Sequence, residues 1–63
     1  MNLTAQRLRA LRKREGLSQT EVARILGITR TAYNKYESGA SAPSRKLREL
    51  AQLYHVSTDY ILG

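Results

Sequence analysis

Gln19, Ala23 and Gly27 stand four residues apart and are followed by Ile28, Tyr33 and Tyr36. Four-residue spacing keeps positions on one face of a helix. Ala23 has the smallest side chain that still favours helix, so a second helix can cross close over it. Gly27 falls where that first helix must stop, because glycine adopts the left-handed backbone of a helix C-cap without steric cost. Two residues on, Thr29 is suited to cap a new helix. The segment therefore predicts helix, tight turn, helix, with the crossing point at Ala23.

The same logic extends along the chain. Four candidate caps each have an apolar residue just before them and another four positions after, the pattern of a hydrophobic staple. Thr4 is flanked by Leu3 and Leu8, Ser18 by Leu17 and Val22, Thr29 by Ile28 and Tyr33, and Ser57 by Val56 and Ile61. Glu21 adds a capping box with Ser18. Helix one is expected from about Thr4 to Glu15, ended by Gly16, and helix two from about Ser18 to Leu26. Helix three is expected from about Thr29 to Ser38, ended by Gly39. Ala40 to Ser44 reads as loop, with Pro43 there or in the first turn of helix four, where its missing N–H is harmless. Helix four then runs from about Ser44 to Tyr54 on the amphipathic stripe Leu47, Leu50, Ala51, Tyr54. His55 follows, where a cation would suit the helix dipole. A short helix five covers Ser57 to about Leu62. No segment alternates like a strand, and no repeat or low-complexity tract is visible.

These elements predict an all-α fold, a compact five-helix domain covering residues 1–63, with the helix-turn-helix formed by helices two and three. The expected core is Leu8, Leu11, Val22, Ala23, Leu26, Ile28, Tyr33, Leu47, Leu50, Ala51 and Ile61. Tyr33 and Tyr36 read as core by their spacing rather than as stacking platforms. Among 63 residues, 11 Lys and Arg oppose five Asp and Glu, giving a net charge of +6. Arg7, Arg9, Arg12, Lys13 and Arg14 crowd helix one, and Arg45, Lys46 and Arg48 form a second cluster. Such an excess suits a polyanionic partner, and a helix-turn-helix presents its second helix to the major groove of DNA. There is no cysteine, so neither a disulfide framework nor a thiolate metal site is expected. A cytoplasmic setting fits that absence, and no apolar run approaches a membrane span or a signal-peptide core.

The ordered set of motifs resembles the Cro and phage-repressor (lambda-repressor-like) helix-turn-helix family. It comprises Arg7-Leu8-Arg9-Ala10-Leu11-Arg12, Gly16 to Ala23, Gly27-Ile28-Thr29-Arg30-Thr31, Tyr36-Glu37-Ser38-Gly39, and Val56 to Gly63. The resemblance implies four or five helices and binding to operator DNA, commonly as a dimer. In the family, positions matching Arg30, Thr31 and Lys35 read base edges, and the glutamine matching Gln19 bridges phosphate and recognition helix. The pair matching Arg12 and Glu37 forms a partly buried salt bridge, a structural role. Pro43 lies eight residues before Ala51, where the family usually has nine, so either the loop is shorter or helix four starts differently.

Residue chemistry extends this to a candidate site. Arg30 and Lys35 can donate to guanine O6 and N7, Asn34 can pair with adenine, and the Thr31 methyl can meet a thymine methyl. Gln19 opens helix two, where free N–H groups favour phosphate; its plainer reading is a helix former at the first position. Ser38 can bond a phosphate or cap its own helix, and Arg45 and Lys46 are expected on phosphate.

No carboxylate pair, activated nucleophile or phosphate loop is present, so no enzyme, cofactor or metal is expected, His55 being the only histidine. The leading expectation is a sequence-specific regulator of transcription, a repressor, acting on double-stranded operator DNA as a homodimer. A protein-interaction module of the same fold, antitoxin-like or adaptor, is the alternative. Tyr54, Tyr60, Ile61 and Leu62 either form the dimer contact or complete the monomer's core.

Overall fold

A helix leaves its first N–H groups without partners, and four of the five α-helices among the described residues meet that need with a side-chain cap. The computed structural model describes residues 2–63. Its helices are α1 (Leu3–Arg14), α2 (Gln19–Leu26), α3 (Arg30–Ser38), α4 (Leu47–Tyr54) and α5 (Thr58–Leu62). Ser18 accepts the Glu21 N–H at 3.0 Å while the Glu21 carboxylate accepts the Ser18 N–H at 2.8 Å, closing the capping box. Thr29 and Ser57 cap α3 and α5 by accepting the N–H groups of Ala32 and Tyr60.

The first helix departs from expectation. Asn2, not Thr4, is its cap, accepting the Ala5 N–H at 2.7 Å. Both residue types can cap, but capping at Asn2 carries Leu3 into the helix. This turns Ala5 fully inward, and Leu3 stays half exposed. Thr4, released from capping, reaches the Leu62 carbonyl at the far end of the chain. Helix four also starts later than expected. After Pro43, residues Ser44–Lys46 make a single 3-10 turn, and α4 begins at Leu47. Pro43 is itself buried, and Lys46 donates its N–H to the Pro43 carbonyl at 3.0 Å. That three-residue bond tightens the entry.

Gly27 takes the left-handed conformation at φ 71°. Its N–H reaches the Arg24 carbonyl, and the next N–H, from Ile28, reaches Ala23. These two bonds are the Schellman arrangement, which uses carbonyls that the helix end would otherwise leave free. Gly39 is also left-handed, and a Cβ there would lie 3.1 Å from the Asn2 side chain. The end of α3 therefore abuts the cap of α1.

α3 packs against both α1 and α2, while α5 packs against α1 and α4. The core comprises Leu8, Leu11, Val22, Ala23, Leu26, Tyr33, Leu50, Ala51, Tyr54 and Ile61. Ile28 and Leu47, expected inside, are only partly covered and pack on its edge with Leu17, Tyr36, Leu53 and Val56. Ile28 is held outward by the turn it occupies, and Leu47 by its place at the first residue of α4. Tyr54 and Ile61, which were open to either a dimer contact or the core, are fully buried; Tyr60 and Leu62 remain about half exposed. Tyr54 fits inside because its hydroxyl meets that of Tyr33 at 2.8 Å. A buried phenol needs such a partner. Among the described residues there is no strand, and no helix is long and apolar enough to cross a membrane.

Candidate nucleic-acid interface

The turn at Gly27 and the small Ala23 side chain set α3 across α2, and the outer face of α3 follows from that crossing. Arg30, Thr31, Asn34 and Lys35 are all exposed there, on positions related by helical spacing. Among the described residues the Arg30 and Lys35 side chains make no hydrogen bond or ion pair.

Behind this face lies a buried anchor. The Arg12 guanidinium grips Glu37 through Nε to Oε2 at 2.7 Å and Nη2 to Oε1 at 3.1 Å. A third donor, Nη1, reaches the Leu17 carbonyl at 2.9 Å. Glu37 is only 4% exposed, the least exposed charged residue of the chain. Burial alone pushes its carboxyl up. Hydrogen bonds from Arg12, Tyr33 and Gln19 outweigh that effect and hold it below the usual carboxylate range. The same hydrogen bond, opposed by partial burial, raises the Arg12 guanidinium above its ordinary value. Burial is the main reason the Tyr54 hydroxyl is pushed up to about 12, and it raises Tyr33 further. The network thus ties the α1 end, the α3 end and α4 together with no buried side-chain polar atom left unsatisfied among the described residues.

Gln19 joins this network. Its amide nitrogen lies 3.1 Å from Asn34 Oδ1 and 3.2 Å from Glu37 Oε1. Ser38 donates to the Lys35 carbonyl at 3.2 Å and accepts the Ala40 N–H at 3.3 Å, so its hydroxyl closes the end of α3. Arg45 is exposed in the 3-10 turn. Lys46 is partly covered, and its Nζ lies 3.7 Å from Glu49. Arg45 and Lys46 thus lie in the 3-10 turn between α3 and α4.

One side chain of this neighbourhood escapes sequence reasoning. Arg9, on α1, lines a shallow pocket of about 140 Å³ with Gln19, Asn34, Glu37 and Ser38. The signal was its position three residues before Arg12: once Arg12 faces Glu37, Arg9 follows on the same side. Arg14 is a second case, donating to the Tyr54 carbonyl at the end of α4. Among the described residues no cluster of His, Cys, Asp or Glu could hold a metal ion.

The chain is similar to several curated proteins. It is 48% identical over 59 residues to the uncharacterized HTH-type transcriptional regulator YobD of Bacillus subtilis, covering 92% of this chain and 53% of that protein. It is 45% identical over 58 residues to the SPbeta prophage-derived uncharacterized HTH-type transcriptional regulator YonR of the same organism, covering 90% and 54%. It is 37% identical over 62 residues to the antitoxin PezA of Streptococcus pneumoniae, covering 97% and 39%. The chain thus spans about half the length of the first two and less of the third. No solved structure matches it significantly. The helix-turn-helix family model HTH_3 matches residues 8–61, and the chain belongs to that helix-turn-helix family.

Proposed function

We propose that this chain is a DNA-binding regulator of transcription that reads operator sequences in the major groove with α3. The observation that carries the reading is the outer face of α3. Arg30, Thr31, Asn34 and Lys35 stand exposed on the second helix of the helix-turn-helix, and the Arg30 and Lys35 charges are not spent on carboxylates among the described residues. Arg30 and Lys35 reach guanine edges, Thr31 meets a thymine methyl, and Asn34 contacts a base by its amide. Arg45 and Lys46 belong to the phosphate-facing rim, and the +6 charge supplies the long-range attraction. The relatives named as HTH-type transcriptional regulators support this reading. Repression follows if the occupied operator overlaps a promoter. The reading requires no catalytic step or cofactor and places the protein in the cytoplasm with its DNA.

The bound form we propose is a homodimer. Extents of 24 × 23 × 20 Å make one copy shorter than a ~34 Å helical turn of DNA, so one copy touches only a half-site. With Tyr54 and Ile61 inside the monomer, the contact falls to the half-exposed Tyr60 and Leu62.

Binding-site selection from random duplexes tests the reading. Arg30→Ala should lose about 1–3 kcal/mol of discrimination at particular base pairs. Arg45→Ala should weaken all duplexes alike. Equal losses on selected and random DNA for Arg30→Ala would remove its reading role. The similarity to the antitoxin PezA favours a second reading, a protein-interaction module of the same fold. Failure to bind any duplex, with binding to a protein partner, would establish that one instead.

A further inference from the structure

We propose that Arg9 takes a DNA phosphate at the mouth of the pocket between α1, α2 and α3, while the Gln19 side chain stays behind it and holds Asn34 in a reading orientation. This rests on the DNA-binding reading above and follows from counting donors. A carboxylate only accepts, so the Glu37 contact requires Gln19 to turn its NH₂ group inward. That group has two hydrogens. One serves Glu37 Oε1 and the other Asn34 Oδ1, at 3.2 and 3.1 Å. Only the Gln19 carbonyl oxygen remains, and it repels a phosphate.

The same polarity runs outward. Because Gln19 donates, Asn34 must present its oxygen to it, which leaves the Asn34 NH₂ facing the groove. The buried carboxylate thereby dictates which end of an exposed amide DNA meets. Ser38 contributes nothing to an anion, since its one proton goes to the Lys35 carbonyl. Of the side chains lining the pocket, Arg9 and Asn34 alone keep free donors. Arg9 is exposed and, among the described residues, makes no hydrogen bond or ion pair. The Glu37 charge beside it is already matched by Arg12. A guanidinium in such a place offers a planar, bidentate fit to phosphate.

Titrations of a selected duplex and a random one across a range of salt concentrations test both halves, with melting temperatures recorded alongside. For Arg9→Ala, both affinities should fall by the same factor, and the slope of log K against log salt should shrink by about 0.9. Arg9→Lys should restore the slope. Gln19→Ala should keep the slope, lower the ratio of selected to random binding, and have no further effect on that ratio in an Asn34→Ala background. An unchanged slope in Arg9→Ala, or an equal loss on both duplexes in Gln19→Ala, would overturn the inference while leaving DNA binding intact. No binding by the wild-type chain to any duplex would overturn the DNA-binding reading, and this inference with it.

Discussion

The α2–α3 and α4–α5 junctions are built alike. In each, an alanine, Ala23 or Ala51, lies four residues before a left-handed residue, Gly27 or His55. Each left-handed residue bonds back three positions, and the next residue, Ile28 or Val56, bonds back five, to that alanine's carbonyl. A hydroxyl cap follows, Thr29 or Ser57, and then a fully buried residue, Tyr33 or Ile61. The outward faces have nothing in common. Where α3 shows Thr31 and Asn34, α5 shows Asp59 and Leu62, and α3 alone continues to the anchored Glu37. Inward residues and the turn set the angle between two helices; outward residues decide what that angle is used for.

Overpacking the two alanines tests the parallel most severely. Ala23→Leu should destabilise by about 1–3 kcal/mol or more in denaturant unfolding. Ala51→Leu should cost less, because Ala51 is 8% exposed against 2% for Ala23. Equal costs would mean the two crossings are equally close.

Glu37 has no counterpart in the second junction. Glu37→Ala leaves Arg12 without its carboxylate, and the loss should exceed the ~0–1 kcal/mol of a surface pair, reaching about 3 kcal/mol. The acid response carries the same sign. The folded chain holds this carboxyl below its ordinary value, so the unfolded chain binds the proton more readily. The stabilisation is complete above the ordinary carboxylate range and is lost as pH falls through the depressed folded value. Melting temperatures of wild type and Glu37→Gln should therefore converge on acidification; parallel curves would mean that other carboxylates govern the acid response.

The smallest effect sharpens the comparison at its one mismatch. Gly27→Ala meets no neighbouring atom, so its cost is the left-handed backbone alone, about 1–2 kcal/mol. His55 already bears such a cost at φ 57°. His55→Gly should return part of it, up to about 1 kcal/mol after the added freedom of the unfolded chain is subtracted. A destabilised His55→Gly would show that the imidazole contributes more than its backbone costs.

The two junctions also show what could be read in advance. Gly27 and Thr29 announce the first junction because each residue type is specialised for its local geometry. The second was legible only as two helices, since histidine does not advertise a left-handed turn. The resemblance named the Arg12–Glu37 pair, whose partners are 25 residues apart and beyond any local pattern. Asn2 and Thr4 were competing caps, and only the inward turn of Ala5 decides between them. Periodicity placed Tyr54 on the apolar stripe of α4 without saying what would cover it; the Tyr33 hydroxyl does. The Gln19–Asn34 bond joins two exposed-looking amides, and it appears only once α3 crosses α2.

The Tyr33–Tyr54 hydroxyl pair joins α3, from the first junction, to α4, from the second. The chain has no tryptophan and four tyrosines, so these two rings dominate any optical signal from the interior. Burial raises both hydroxyls, Tyr54 to about 12. Between the ordinary phenol value of 10.0 and about 12, their phenolate absorbance would rise mainly as the two halves separate. The chain thus carries its own label-free gauge of whether its helix-turn-helix half and its C-terminal half are still joined.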